Sequence, residues 1–289
     1  MIITAQNISY SIGKKPILHN LSFVMQPGEV TVVLGANGAG KSTLLRMLSG
    51  EQPPTAGSVL LNDKNIQALT PSQLARCRAV LSQQYMLNLP FSCEEIVMMG
   101  RYPHFNNHPA QADHDIVQQC MQEMQAAQFT GRLYQTLSGG EQQRVQMARV
   151  LAQLREVNAA EVTGKLLLLD EPTASLDCLH QQACLHKARD LAQQGYTVVV
   201  ILHDLNLAAQ FADKILLLKN GCLIKQGAMH EVLQPDCIAD AYEMEVDTWH
   251  NENYRFPVLV PAIHRRTPVL KASNKNNKNE HNDKPFVKR

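Results

Sequence analysis

The run Gly35-Ala-Asn-Gly-Ala-Gly-Lys-Ser-Thr43 constrains this chain more than any other feature. It has the GxxxxGK[ST] spacing, and its context is the one that spacing requires. The β-rich segment Glu29 to Leu34 precedes it, and Leu44, Leu45, Met47 and Leu48 follow at helical spacing until Gly50. Gly35, Gly38 and Gly40 let the backbone curl, so that N–H groups along Gly35, Ala36, Asn37, Gly38, Ala39 and Gly40 converge on an anion at a helix N-terminus. Lys41 can then reach the β and γ phosphates of a nucleotide, and Ser42, beside Thr43, can offer its hydroxyl to Mg²⁺. A chain with this loop is an α/β protein whose nucleotide lies at the carboxyl edge of a largely parallel sheet.

The remaining pattern agrees with that class. Short β segments occupy Met1 to Ile8, Leu18 to Met25 and Gly57 to Leu61. Between about Tyr85 and Val150, glutamine, alanine and methionine replace glycine and β-branched residues, which predicts a helical insert. Strand and helix then alternate: Lys165 to Leu169, Cys178 to Gln194, Thr197 to Leu202, Leu205 to Phe211, and a hairpin over Lys214 to Gln226. Arg155 to Gly164 is polar and predicts a surface loop, and residues 264–289 are rich in lysine and asparagine, which predicts a disordered tail.

Composition excludes several functions. Twenty-seven basic against 26 acidic side chains leave a net charge of +1, so no global field draws the chain to nucleic acid. Seven scattered cysteines without a CxxC pair argue against a disulfide framework or a zinc site and point to a reducing compartment. His104, His108 and His114 sit among Asn106, Asn107 and Pro109 without the pattern of a metal centre. No apolar run approaches the roughly 20 residues of a membrane helix, so the chain alone is not expected to cross a bilayer.

Leu166-Leu-Leu-Leu-Asp170-Glu171 is an apolar strand ending in two carboxylates. With a phosphate loop upstream, Asp170 is placed to share the Mg²⁺ of Ser42, and Glu171 to polarise an attacking water. Leu137-Ser-Gly-Gly-Glu-Gln-Gln-Arg-Val145 opens a helix with Ser138, Gly139 and Gly140, which present bare N–H groups and a positive dipole end to an anion. These segments together resemble the ATP-binding-cassette family, and the resemblance spans about residues 1 to 260.

The resemblance implies a RecA-like parallel-sheet core with an antiparallel β subdomain and an inserted helical subdomain, over residues 1–263. It implies that two copies sandwich two ATP molecules, with Ser138 to Gly140 of one copy meeting the γ-phosphate held by the other. The fifth position of that signature is Glu141, where the commonest family pattern has glutamine. By match to the family, Gln83 senses Mg²⁺ and the attacking water, with Gln84 the alternative. Asp177 in Ser175-Leu176-Asp177 lies in the loop linking the two sites, His203 holds the γ-phosphate and Glu171 in line, and Tyr10 stacks on adenine while Phe23 fills core. The complete set implies ATP hydrolysis, with ATP and Mg²⁺ as cofactors.

Leu89-Pro-Phe-Ser-Cys-Glu-Glu-Ile-Val-Met-Met-Gly-Arg-Tyr-Pro-His104 narrows the group. It resembles bacterial importers of ferric siderophores, haem and cobalamin, whose ATPases carry a Gly-Arg-x-Pro-His run in a region that docks the permease. Phe91, Met98 and Met99 also suit core packing of the insert. Within the group the wording is most like the haemin-importing ATPases. That implies a homodimer peripheral to the cytoplasmic face of the bacterial inner membrane, a transmembrane permease, an indirect periplasmic binding protein, and no nucleic-acid partner. A soluble cassette ATPase of translation or DNA repair would be expected to carry tandem cassettes or long coiled coils. A regulator without turnover would be expected to lack Glu171 or His203, and both are present.

Overall fold

The structure is a computed structural model, and it describes residues 1–82, 90–157 and 164–262. The chain opens with the antiparallel pair β1 (Ile3–Ile12) and β2 (Lys15–Met25). After β3 (Val30–Leu34) and α1 (Lys41–Leu48) it returns as β4 (Ala56–Leu61) and β5 (Lys64–Asn65), completing a four-stranded sheet in the order β2-β1-β4-β5. Helix α2 (Pro71–Cys77) leads into β6 (Arg78–Leu81). Helices α3 (Cys93–Met98), α4 (Gln111–Glu123) and α5 (Gly139–Leu154) separate it from β7 (Leu166–Asp170). Then come α6 (Cys178–Gln193), β8 (Thr197–Ile201), α7 (Leu205–Phe211), β9 (Lys214–Lys219) and β10 (Cys222–Ala228). Two further helices, α8 (Met229–Val232) and α9 (Pro235–Tyr242), precede a last hairpin of β11 (Val246–Trp249) and β12 (Val258–Pro261).

The second sheet has six strands in the order β10-β9-β3-β8-β7-β6, parallel except for the β9–β10 hairpin. It is the α/β architecture expected: a parallel core, an antiparallel β subdomain, and a helical insert between neighbouring strands β6 and β7. The apolar runs are continuous because the sheet is covered on both faces. Val32 and Leu34 of β3, Leu167 and Leu169 of β7, and Val198 and Val200 of β8 pack with the insert helices, α6 and α7. Their alternates Val33, Leu166, Leu168, Val199 and Ile201 pack with α1 and the antiparallel sheet.

Where structure and expectation part, the causes are local. β1 continues past Ile8 to Ile12, because Asn7 at φ 51° and a register shift between Ala5 and Ile8 break the alternation that marks a strand. α5 extends to Leu154. The tail 264–289, most of the polar loop (158–163), and Gln83 with its alternative Gln84 lie outside the described residues.

The Gly-Arg-x-Pro-His run is largely interior. Arg101 is fully buried; its Nε donates to Asp113 Oδ1 at 2.9 Å, and its Nη1 donates to the carbonyls of Ala152, at 2.7 Å, and of Arg155. Gly100 is required beside it, since a Cβ there would lie 2.2 Å from the Arg149 carbonyl oxygen. A His104 ring nitrogen, Nε2, lies 2.8 Å from the Gln153 carbonyl. The run therefore clamps the last turn of α5, and the surface it offers is Tyr102, 59% exposed. Phe91, Met98 and Met99 pack against the same core. Asp113→Ala strands the buried guanidinium and is expected to destabilise the chain by about 3–5 kcal/mol in urea unfolding. An unchanged midpoint would show that the pair is dispensable.

Candidate functional site

β3 stops at Leu34, and α1 starts at Lys41, so Gly35 to Gly40 make the turn between a buried strand and a helix. Gly35, Gly38 and Gly40 have φ of 148°, 81° and 98°, the left-handed side that favours glycine. At Gly35 space forbids a side chain as well, because a Cβ would lie 2.3 Å from the Leu218 carbonyl oxygen. Lys41 is 6% exposed and folds back on the loop, its Nζ donating to the carbonyls of Gly35 at 2.7 Å and Ala36 at 3.1 Å. Burial lowers the Lys41 pKa, and the nearby charges of Glu171 and Asp170 oppose that. Asn37 and Gly38 are exposed at the tip, Ala39 is buried, and Ser42 and Thr43 are half-buried.

Across the sheet, β7 delivers Asp170 to this loop. Ser42 Oγ donates to Asp170 Oδ1 at 3.4 Å. Burial pushes the Asp170 carboxyl above its ordinary pKa, against the lowering effect of the Ser42 hydrogen bond. Glu171 follows in the left-handed region at φ 51°, with its N–H donating to the Ile201 carbonyl of β8 at 3.2 Å. A non-glycine residue there is strained, and strain of this kind concentrates at functional positions. His203, just beyond β8, makes a short contact through Nε2 with Glu171 Oε1.

Ser138, Gly139 and Gly140 open α5, and the atoms nearest the two glycines belong to Ser175 and Leu176. A Cβ on Gly140 would approach the Ser175 carbonyl oxygen to 2.9 Å. Asp177 caps α6, accepting from the His180 N–H at 2.9 Å, and that bond holds its carboxyl below the usual range. Tyr10 is half-buried on β1 opposite Leu18, the residue whose side chain covers Gly40. Phe23 is core, at 4% exposed.

Residues 18–174 match the ABC transporter family. The chain belongs to the ABC transporter family. This ABC ATPase is 42% identical over 260 residues to the "Hemin import ATP-binding protein HmuV" of Gloeobacter violaceus, an alignment covering 90% of this chain and 94% of the relative. Among solved structures it is similar to an ABC transporter assigned to the metal-chelate type in an inward-facing conformation, with TM-score 0.74, 28% identity, and 90% and 96% of the two chains covered. It is also similar to a dimeric bacterial ABC transporter cassette, with TM-score 0.68 and 25% identity over 78% of this chain and 98% of the other.

In this ABC ATPase the Glu141 departure from the commoner glutamine has a local explanation. Glu141 Oε2 accepts from the Ser138 N–H at 2.8 Å, and the Glu141 N–H donates to Ser138 Oγ at 3.4 Å, a capping box that either residue type completes. The donor set also fits Mg²⁺. A hydroxyl and a desolvated carboxylate converge at Ser42 and Asp170, while no group of three or more His, Cys, Asp or Glu forms a cage among the described residues. Mg²⁺ takes one or two protein oxygens and completes its shell with phosphates and water.

Tyr242 is the contact that motif reading misses. Its hydroxyl accepts from the Gly35 N–H at 2.9 Å, and burial lifts its pKa to about 12, so it stays a neutral phenol. No local signal announces a partner 207 residues away. Gly35→Ala is expected to abolish nucleotide binding by forcing the loop off Leu218. A titration with a fluorescent ATP analogue that matches the parent would show that the loop tolerates the displacement.

Proposed function

We propose that this ABC ATPase energises haem import through a separate membrane permease. The observation carrying the proposal is a relative named for hemin import that aligns over 90% of this chain and 94% of its own length. The likeness to a transporter of the metal-chelate type keeps ferric-siderophore or cobalamin import as the second reading. We assign residues 1–263 to the cassette, about 85–150 to its helical insert, and 264–289 to a polar tail. No described helix is long and apolar enough to cross a membrane; we place the chain peripherally on the cytoplasmic face of the inner membrane, as an import ATPase working on a separate permease. The insert carries a groove of about 890 Å³, with Met98, Val117, Met121 and Ala127 in its wall and Glu94 and Glu95 beside them. That chemistry suits an amphipathic permease helix with basic flanks.

The chemistry follows from the side chains. Lys41 leaves the Gly35 and Ala36 carbonyls for the β and γ phosphates, while loop N–H groups between Ala36 and Thr43 cradle them and the Gly35 N–H stays with Tyr242. Ser42 and Asp170 would hold Mg²⁺ with Gln83, and the ion when bound supplies charge neutralisation on the phosphates. Glu171 accepts a proton from the attacking water, and His203 fixes the carboxylate orientation. Gly139 and Gly140 of a second copy present helix N–H groups to the γ-phosphate and Ser138 its hydroxyl, Asp177 sits where the two copies meet, and Tyr10 lies against adenine. Hydrolysis then waits on closure of the dimer, and closure is the stroke delivered to the permease.

Glu171→Gln is expected to lower ATP turnover about 100-fold or more while ATP binding persists and a dimer accumulates on size exclusion. Turnover like the parent's would remove Glu171 as the base. In liposomes holding the permease and its binding protein, haem is expected to stimulate ATP hydrolysis several-fold. Stimulation by a ferric siderophore or cobalamin and not by haem would favour the second reading, and no stimulation by any ligand would reject the importer.

A further inference from the structure

Gly35 holds the phosphate loop through both sides of its backbone. Its carbonyl accepts from Lys41 Nζ at 2.7 Å, and its N–H donates to the Tyr242 hydroxyl at 2.9 Å. Tyr242 ends α9, which is itself tied to β9 by the 2.7 Å ion pair of Lys219 with Asp240. The neighbour of Lys219 on β9, Leu218, carries the carbonyl that a side chain on Gly35 would strike. Gly35 is therefore gripped between Leu218 on one side and Tyr242 on the other.

The hairpin after α9 is anchored at a second place beside the site. Asn206 Nδ2 donates to the Leu259 carbonyl at 3.1 Å, and the Leu259 N–H donates to Asn206 Oδ1 at 2.8 Å. Asn206 lies in the first turn of α7, whose cap Asp204 directly follows His203. The segment from Pro235 to Pro261 thus reaches both the loop that parks Lys41 and the helix that starts beside His203. The Tyr242 contact joins residues 207 positions apart and the Leu259 contacts residues 53 apart.

We propose that Tyr242 is a positioning residue for nucleotide binding: its hydroxyl fixes the Gly35 peptide so that the Gly35 carbonyl holds Lys41 ready for transfer to phosphate. A phenol suits the task because its ring packs against the core and its oxygen accepts the Gly35 N–H. Removing the oxygen leaves the Gly35 N–H without its partner and frees the peptide to rotate, which displaces the Lys41 acceptor. The proposal rests on the reading of Gly35 to Thr43 as the nucleotide site.

The test is Tyr242→Phe in the full chain, which keeps the ring and deletes the oxygen. Binding of a fluorescent ATP analogue, KM and kcat for ATP, and the thermal unfolding midpoint are measured beside the parent. The expected result is a Kd and KM raised about 5-fold or more, with kcat and the unfolding midpoint close to the parent. Unchanged Kd and KM would overturn the proposal. So would a lower kcat and midpoint at unchanged KM, which is the mark of a merely structural tyrosine. A parent chain that fails to bind the analogue would instead remove the nucleotide site itself.

Discussion

The approach of Ser42 to Asp170, 3.4 Å across the gap between α1 and β7, is the contact on which the rest of the molecule depends. It unites two residues 128 positions apart, and here the parallel sheet does so by bringing both strand ends to one edge. β3 and β7 flank β8 in a continuous parallel ladder, so their carboxyl ends, and that of β8, emerge together. From these ends come the phosphate loop, the Asp170–Glu171 pair and His203. Burial of β3, β7 and β8 on both faces holds the ends rigid, and that rigidity makes positioning an effective form of catalysis.

Helix α5 joins this edge to the helical insert. α5 has 16 residues, so it is about 24 Å long. Its first turn carries Ser138 to Gly140 against Ser175, and its last turn is clamped by Arg101 and His104. One rigid element therefore spans from the signature residues to the Gly100–His104 run. A displacement of the insert moves the signature glycines with it, which gives the proposed permease contact a mechanical path to the γ-phosphate.

Chemistry that depends on spacing within one segment is legible in the sequence. Gly35 to Thr43 and the Asp170–Glu171 pair are such segments, because a loop's glycines and a strand's end are local facts. Burial is less legible: Arg101 reads as a polar residue in a docking region, yet Asp113 and two carbonyls draw it fully into the interior. Strand limits fail where geometry breaks the period, as Asn7 does in β1. Tyr242 was illegible for a third reason, since its partner is a backbone N–H and no side-chain pattern records that. Glu141 goes the other way: it departs from the common pattern, and the capping box with Ser138 shows why the helix start tolerates it.

We propose that each catalytic site is shared between two copies of the chain. The most direct measurement is ATP hydrolysis by a mixture of two inactive variants, Lys41→Ala and Gly139→Asp, each assayed alone and then together. Shared sites predict recovered turnover in the mixture, because a mixed dimer joins the intact Lys41 of one copy to the intact signature of the other. A mixture as inactive as its components would contradict the account.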